Sequence, residues 1–300
     1  MPKIWSVLKP YFRWVIFGGT LFFLAKTLKD HAAEVAAIRI TGGGWLSLAI
    51  AFCITLLAHT WSGCVWNLIL QSFQQPVKLR WVLQVYLKTN IAKYLPGNVW
   101  HYYGRISAVT DAGGSLGAAT LSVLLEPLLM AAAALLITLM GGQLNQHWGW
   151  QVLGLGWILL GIHPRILNLL IQRLSRLKAK ATTTEVFQLQ QYPLLPLLGE
   201  IGFVLLRATG FLFTVLALTS VSPSLIWQLF SAFSLAWVLG LVVPGAPGGI
   251  GVFEATAIAL LNGYFPTALI LSVVALFRLV SVLAETVGAG LATLSESLQK

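Results

Sequence analysis

Six charged side chains lie within stretches of this sequence that are otherwise apolar. They are two arginines and four glutamates: Glu126, Glu200, Arg207, Glu254, Arg278 and Glu285. A charge at the centre of a bilayer costs about 2.5 to 3.5 kcal/mol on insertion scales, so such residues mark candidate ion or ligand sites. A planar guanidinium can bind a phosphate through two parallel hydrogen bonds. One hypothesis is therefore that Arg207, Arg278 and Arg105 bind the phosphate of a lipid headgroup.

The spacing of these charges also allows a purely structural network. Glu200 and Arg207 are seven residues apart, as are Arg278 and Glu285 in the reversed order of sign. Seven residues return to nearly the same helical face about 10 Å further along the axis, so neither pair can bond within its own helix. If the two helices pack side by side, Glu200 would meet a basic partner and Arg207 an acidic one. This mutually neutralising network is the alternative to headgroup binding.

Proline and glycine interrupt the apolar pattern at two motifs. The first is Lys93-Tyr94-Leu95-Pro96-Gly97, with Arg105 shortly after it. The second is Pro244-Gly245-Ala246-Pro247-Gly248-Gly249-Ile250-Gly251, followed by Glu254. Pro96 and Pro244 are 148 residues apart, about half of the 300-residue chain, which suggests an internal repeat with halves at about 1–150 and 151–300.

Each motif is compatible with two structures. In secondary transporters, paired Gly/Pro-interrupted segments point to a midplane binding site, where half-helix ends present free backbone dipoles. Irregular backbone is tolerated at that depth only where it lines protein or a wet cavity. The alternative is an ordinary loop, in which proline and glycine merely turn the chain. The uncharged second motif favours a re-entrant hairpin, whereas Lys88 and Lys93 favour an interfacial position for the first.

The composition predicts that these motifs belong to one polytopic α-helical membrane domain. The chain is 57% hydrophobic and 9% charged, with a mean hydropathy of +0.82, whereas soluble domains carry about 25% charged residues. A helix needs roughly 20 apolar residues to cross the hydrocarbon core, because lipid offers backbone groups no partner. Eight runs approach that need: 11–24, 44–70, 116–139, 148–162, 194–221, 225–243, 250–261 and 265–287. We expect an all-α fold of about eight transmembrane helices in a single domain, 1–300.

The net charge of +10 is distributed as in a membrane protein. If the N-terminus is cytoplasmic and all eight runs cross, most of the 19 lysines and arginines fall on the inner side, in accordance with the positive-inside rule. The basic segment 165–180 then anchors the chain beside anionic headgroups, at about 1 kcal/mol per base. We expect a multi-pass protein of the plasma (inner) membrane, with both termini cytoplasmic and no nucleic-acid partner.

The sequence lacks the common signatures of enzyme chemistry. It contains no Gly-Lys-Ser/Thr phosphate loop and no His-Glu-x-x-His zinc helix. Gly113-Gly114-Ser115-Leu116-Gly117 matches a nucleophile pattern that requires a strand-to-helix turn, but here it precedes a membrane helix. No catalytic residue, metal ligand or cofactor is therefore predicted.

The two Pro/Gly motifs, with Arg105 and Glu254, resemble the lysylphosphatidylglycerol synthase transmembrane-region family, which is also described as a lipid flippase domain. The resemblance implies a stand-alone membrane domain that lacks the aminoacyl-transferring synthase domain. Together with the embedded charges, it gives the following candidate substrate-binding residues: Lys93, Pro96, Gly97, Arg105, Arg207, Pro244, Gly245, Pro247, Gly248, Gly249, Gly251, Glu254, Arg278 and Glu285.

The leading hypothesis is a lipid translocase without its own energy source. Its partners would be membrane lipids, such as an anionic phospholipid or a polyprenyl or hopanoid-type lipid. A membrane enzyme or enzyme subunit in envelope-lipid or lipid-linked glycan synthesis is one alternative, and a proton-coupled small-solute transporter is another. A structural membrane partner is the remaining alternative. A separate lipid-modifying enzyme and a second copy of the chain, forming a homodimer, are further partners to consider.

Overall fold

A computed structural model of the chain describes residues 39–298 except 76, 95–98, 142–147, 167, 170–188, 190 and 244–248, together with residues 29 and 33. The regular structure in this part of the chain is helical. The principal helices are α1 (Gly42–Ser72), α2 (Leu79–Asn90), α3 (Trp100–Asp111), α4 (Leu116–Met140), α5 (Trp148–Gly161), α6 (Leu194–Leu216), α7 (Ile226–Val242), α8 (Val252–Leu261) and α9 (Thr267–Ser297). Short 3₁₀ turns at Ile91–Tyr94 and Pro223–Leu225 follow α2 and precede α7.

Within the described residues, five helical segments are long and apolar enough to cross a membrane. They are α1, α4, α6, α9 and the segment Pro223–Val242 that contains α7. The expected all-α polytopic membrane fold is therefore confirmed. The predicted span at 11–24 lies outside the described residues, and α5 contributes 14 residues of the run at 148–162.

The prediction of a span at 250–261 is wrong. This run forms α8, which has 10 residues and measures about 15 Å, half the thickness of a hydrocarbon core. The run itself holds only 12 residues, too few for a span, and the glycines at its start shorten the helix further. Gly249 and Gly251 adopt positive φ angles of 70° and 88°, which side chains with a Cβ rarely adopt, so the helix begins only after them.

Helices α1 and α6 pack antiparallel at the centre of the bundle. A Cβ at Gly199 of α6 would lie 2.7 Å from Cγ2 of Val65, and one at Gly210 would lie 2.9 Å from Oγ1 of Thr55. These two glycines lie eleven residues apart, on one face of α6, and they allow the backbones to approach as in other membrane helix pairs. The Trp61 Nε1–H group donates to the carbonyl of Gly199 (2.8 Å) across the same contact.

Helices α2 and α3 form a hairpin, called the first hairpin (79–111), that runs back along α1. The side chains of Asn90 and His59 approach to 3.4 Å between Nδ2 and Nδ1, which places the end of α2 about 20 Å from the C-terminal end of α1. The chain then returns through α3, and the Ser115 N–H group donates to Oε1 of Gln75 (3.0 Å). The first hairpin therefore starts and ends at one end of the bundle, and its tip, a name used here for the described residues Ile91–Tyr94, lies at mid-depth.

Helices α7 and α8 form a second hairpin (226–261) that enters from the opposite end. The Ser231 hydroxyl donates to the carbonyl of Thr138 (3.0 Å), near the C-terminus of α4. Helix α8 returns along α7, since a Cβ at Gly240 would lie 3.2 Å from Cα of Gly249. Gly240 lines a common cavity with Pro127, near the middle of α4. The tip of the second hairpin, a name used here for the described residues 249–254, therefore also lies at mid-depth.

Helix α9 contacts both hairpins along its 31 residues. Near its C-terminus, Arg80 of α2 donates to Oγ of Ser295 (3.1 Å), and Nζ of Lys88 lies 2.5 Å from Oε2 of Glu296. Nearer its N-terminus it packs on α8 in an apolar cluster that includes Phe253 and Phe277. We call the end of the bundle at Ser295 the C-terminal end.

Substitution of Gly199 tests the central helix contact. We expect Gly199→Leu to lower the free energy of unfolding by about 1 to 3 kcal/mol, because the side chain overpacks the interface with α1. Gly290→Leu is the matched control, since Gly290 is exposed on α9 and has nothing within 4 Å of an added Cβ. Thermal unfolding in detergent measures both variants. Equal unfolding temperatures would contradict the close α1–α6 contact.

Candidate functional site

A cavity of about 410 Å³, called the central cavity, lies between the tips of the two hairpins. Its walls come from α1, α2, α3, α4, α6, α7, α8 and α9 and from the turns at the tips. Its charged lining residues are Lys93, Arg105, Glu126, Arg207, Arg278 and Glu285. Charges far apart in the sequence therefore meet at one place.

Lys93 attaches the tip of the first hairpin to α9. It lies in the 3₁₀ turn after α2, and its Nζ is 2.6 Å from Oε1 of Glu285. The same carboxylate oxygen lies 3.0 Å from Nε2 of His59 on α1. Glu285 is 2% exposed, and its Oε2 has no hydrogen-bond partner among the described residues. The Glu285 carboxylate of α9 therefore contacts both α1 and the turn after α2. Its Oε2 makes no hydrogen bond to the described residues.

Arg278 attaches the tip of the second hairpin to α9. Its Nε donates to Oε1 of Glu254, and its Nη2 donates to the carbonyl of Gly249 (3.2 Å). The other oxygen of Glu254 accepts from the backbone N–H of Gly251 at the start of α8 (2.6 Å). A carboxylate at a helix N-terminus satisfies a free N–H group and complements the helix dipole. The pair therefore stabilises both the short helix and its position on α9.

Arg105 and Glu126 form a buried ion pair between α3 and α4. Nη1 of Arg105 lies 2.6 Å from Oε2 of Glu126, and both side chains are 2% exposed. The Tyr86 hydroxyl donates to the other carboxylate oxygen (2.7 Å). Ser62 Oγ lies 2.6 Å from the Tyr86 hydroxyl, and the guanidinium stacks on the Tyr86 ring at 3.7 Å. Both charges are thus neutralised and hydrogen-bonded.

Arg207 is bonded differently from the other cations of the cavity. It is 7% exposed, and its Nη2 donates to the hydroxyl of Ser281 (3.1 Å). Its guanidinium lies 4.7 Å from the centre of the Phe277 ring. Nη1 has no hydrogen-bond partner within the described ranges. Arg207 therefore keeps one guanidinium nitrogen without a partner in the described structure.

The predicted charge network between α6 and α9 is wrong. The two helices do pack together, but Arg278 pairs with Glu254, and Glu285 pairs with Lys93. Arg207 bonds to a hydroxyl instead, and neither carboxylate oxygen of Glu200 has a partner in the described structure. The physical reason is that the hairpin tips insert their own charged residues beside α9.

The family described as Lysylphosphatidylglycerol synthase TM region matches residues 12–288, almost the whole chain. The chain belongs to this family. The resemblance carried by the two Pro/Gly motifs is thus confirmed. A search of curated proteins gives no match.

In this member of the Lysylphosphatidylglycerol synthase TM region family, the matched range includes all residues that line the central cavity. Six of the predicted site residues line it: Lys93, Arg105, Arg207, Gly249, Arg278 and Glu285. Glu254 and Gly251 hold the tip of the second hairpin. The other predicted residues lie outside the described residues: Pro96, Gly97, Pro244, Gly245, Pro247 and Gly248.

Several polar residues of the cavity are missing from the predicted binding set. They are His59, Tyr86, Asn90, His101, Glu126 and Ser281. Glu126 is recognisable as an embedded acid, and His59 interrupts an apolar run, so both carry a sequence signal. Tyr86, Asn90 and His101 lie in segments of mixed polarity. In such segments the sequence pattern does not distinguish a residue that lines a cavity from one that faces solvent.

The central cavity reaches the outer surface of the bundle at mid-depth. Val282 lines the cavity and is 40% exposed, and Tyr94 lines it and is 41% exposed. Val282 occupies the midpoint of α9 (Thr267–Ser297). The exposed surface at this depth of a spanning helix faces lipid. The lining of the cavity therefore includes side chains with exposed surface at this depth.

Substitution of Arg105 or Glu126 tests the buried pair. We expect Arg105→Gln and Glu126→Gln each to lower the free energy of unfolding by about 3 kcal/mol, because each leaves the partner's charge buried and unpaired. The double variant should lose less than the sum of the two single variants. Thermal unfolding in detergent measures the three proteins. Additive losses would show that the two side chains do not interact.

Proposed function

We propose that this protein is a lipid translocase that binds an anionic, phosphate-containing headgroup in the central cavity while the lipid tails remain in the bilayer. The observation that supports this most directly is the exposure of Val282, a cavity-lining residue at the midpoint of α9, which we interpret as a lateral opening. A soluble substrate needs an aqueous entrance, whereas a lipid needs an entrance from the hydrocarbon region. The cavity combines such an entrance with the guanidinium of Arg207.

The charge balance of the cavity favours an anionic ligand. Within the described residues, Lys93, Arg105 and Arg278 each pair with a carboxylate, from Glu285, Glu126 and Glu254 respectively. Arg207 remains as one uncompensated positive charge. A buried unpaired charge is costly, so a monoanionic phosphate would neutralise the cavity. Burial strengthens the attraction, because less water screens it.

The two hairpins support a path through the membrane. We infer that both are re-entrant, since each begins and ends at one end of the bundle and their tips meet at mid-depth. Their opposite directions support the internal repeat with halves at about 1–150 and 151–300. Short helices that end at mid-depth are tolerated where they line a polar cavity, and inverted repeats of this kind are common in transporters.

The ion pairs on α9 suggest how access alternates. Lys93–Glu285 holds the first hairpin and Glu254–Arg278 holds the second. Release of one pair would open the cavity toward one end, and release of the other would open it toward the opposite end. A headgroup phosphate competes with Glu285 for Lys93, so ligand binding itself favours one release. Hinged movement between such states is the usual basis of alternating access.

The orientation follows from the charges at the C-terminal end of the bundle. Lys78, Arg80 and Lys88 lie on or next to α2 near that end. The positive-inside rule then places this end in the cytoplasm. We therefore propose a multi-pass protein of the plasma (inner) membrane with both termini cytoplasmic, which handles an anionic phospholipid or a polyprenyl- or hopanoid-type lipid.

Lipid exchange between leaflets tests the role of Arg207. Purified protein in liposomes that contain fluorescent phosphatidylglycerol should accelerate its movement, and Arg207→Gln should slow the protein-dependent rate by about tenfold or more. The reason is the loss of hydrogen bonds from a charged donor, worth about 1.5 to 3 kcal/mol. Arg39→Gln is the control, because Arg39 is exposed and does not line the cavity. An unchanged rate in folded Arg207→Gln would refute headgroup binding at this residue.

A bulky residue at position 282 tests the lateral opening. We expect Val282→Trp to reduce lipid movement severalfold while the protein stays folded, because the indole would fill the side of the cavity that faces lipid. Leu283→Trp is matched to it, since Leu283 is 49% exposed on the same helix but is not part of the cavity lining. If both variants retain the wild-type rate, lipid does not enter beside Val282.

A further inference from the structure

His59 on α1 contacts α9 and the first hairpin at the same time. It is 4% exposed and lines the central cavity. Its Nε2 lies 3.0 Å from Oε1 of Glu285, and its Nδ1 lies 3.4 Å from the amide nitrogen of Asn90 at the end of α2. Nζ of Lys93 lies 2.6 Å from the same oxygen of Glu285. Two residues of the first hairpin, Asn90 and Lys93, therefore contact His59 and its carboxylate neighbour.

These contacts determine the protonation of His59 in the described state. A carboxylate oxygen attracts an N–H group and repels a bare ring nitrogen, so the proton of the ring is on Nε2. An amide nitrogen is a donor, so Nδ1 beside Asn90 accepts and carries no proton. His59 is therefore neutral while the first hairpin is in place. Lys93 is the cation that balances Glu285 in this state.

The charges around His59 favour its neutral form as long as Lys93 is in place. Helices α2, α4, α6 and α9 pack on α1. The ionisable residues of these five helices and of the turn after α2 are Cys53, Cys64, Arg80, Tyr86, Lys88, Lys93, Tyr94, Glu126, Glu200, Arg207, Arg278, Glu285 and Glu296. Lys93 and Arg207 line the same cavity as His59, and nearby cations disfavour a further positive charge. Glu285 has the opposite effect and would stabilise an imidazolium once these cations are withdrawn or neutralised.

Withdrawal of the first hairpin would reverse this balance. Asn90 and Lys93 are three residues apart in that hairpin, so both leave together when its tip moves away from α9. Glu285 is 2% exposed, and a buried carboxylate that loses its cation is strongly destabilised. Loss of Asn90 frees Nδ1 of His59 at the same time. One movement thus removes the cation that keeps a proton off His59 and the donor that occupies the proton's site.

We propose that His59 takes up a proton when the first hairpin withdraws, and that His59 and Lys93 thereby alternate as the cation that balances Glu285. The proton comes from hydronium in the opened cavity: an N–H bond forms at Nδ1, and the hydronium becomes water. When Lys93 returns to Glu285, the N–H bond breaks and the proton passes back to water.

The charge of the cavity links this proton to the lipid, so this inference rests on the proposed function. In the described state Lys93 balances Glu285, and a bound monoanionic phosphate would balance Arg207. If Lys93 withdraws while that ligand is bound, the cavity gains one negative charge, which a proton on His59 neutralises. Without a ligand, Arg207 itself balances Glu285, and no proton is needed. The proton therefore enters together with the anionic headgroup, and lipid movement is proton-coupled.

Calorimetry tests the proton site without a transport assay. Soluble short-chain phosphatidylglycerol is titrated into the protein in detergent at about pH 6.5, where imidazoles titrate. Two buffers with different heats of ionisation give the number of protons taken up per bound lipid. The wild type should take up a fraction of a proton, set by the share of bound protein whose first hairpin has withdrawn. Lys93→Met should take up about one, because Glu285 then lacks its cation in every conformation, and His59→Gln should take up none.

Another histidine provides the matched control. His163 follows α5 and does not line the cavity, so His163→Gln should take up as much as the wild type. The inference is overturned if neither the wild type nor Lys93→Met takes up a proton, or if His59→Gln takes up as much as the wild type. Lys93→Met keeps the test valid if His59→Gln does not fold. A wild type that binds no phosphatidylglycerol would overturn the proposed function, and this inference with it.

A pH gradient across the liposome tests the coupling to movement. The wild-type rate of lipid movement should change with the gradient, by up to about tenfold per pH unit for a one-proton step. His59→Gln should lose this response, and His163→Gln should respond like the wild type. A wild-type rate that does not depend on the gradient would overturn the coupling while leaving lipid translocation intact. A wild type that moves no lipid would instead overturn the proposed function.

Discussion

Charges buried in an apolar bundle must be neutralised, and α9 provides the surface on which this happens. Arg278 and Glu285 lie seven residues apart on one face, about 10 Å along the axis. Each binds an oppositely charged residue from a different hairpin, Glu254 or Lys93. The positions of both hairpin tips therefore depend on two ion pairs that share one helix. Because the partners are ionic and few, these contacts can break as units while the apolar packing persists.

The apolar core determines where the cavity cations lie. Phe211, Phe233, Phe253 and Phe277 form a cluster in which ring centres lie between 5.4 and 6.4 Å apart. Phe253 begins the return arm of the second hairpin, and Phe277 also supports the guanidinium of Arg207 at 4.7 Å. Aromatic faces attract cations and exclude water. The same cluster thus packs the second hairpin against α9 and contacts the guanidinium of Arg207.

Polar contacts, more than apolar packing, hold the tip of the first hairpin in place. Its tip is held by Lys93 on Glu285 and by Asn90 beside His59. Its arm α3 is held by Arg105 on Glu126. Polar networks of this kind have few alternative arrangements in a low-dielectric interior, so a change in one pair changes the others. An aromatic cluster and the Glu254–Arg278 ion pair thus hold the second hairpin on its side of the cavity. On the other side, polar contacts hold the tip of the first hairpin.

The sequence alone determined the all-α membrane class, the runs of the five spanning segments in the described part of the chain, and the family, and it singled out Arg207, Arg278, Glu254 and Glu285 as candidate site residues. These follow from local properties, since hydropathy, helix breaks and embedded charges can be read within one segment. The sequence did not determine which charges meet. Glu200 and Arg207 have the same spacing as Arg278 and Glu285, yet their predicted network is replaced by Lys93, Glu254 and a hydroxyl. Likewise, 250–261 is apolar, but it forms a helix of 10 residues that returns along α7 after glycines with positive φ. The tertiary structure decided which charges pair and how far each helix extends across the membrane. Both depend on which helices are neighbours and on where the chain turns back.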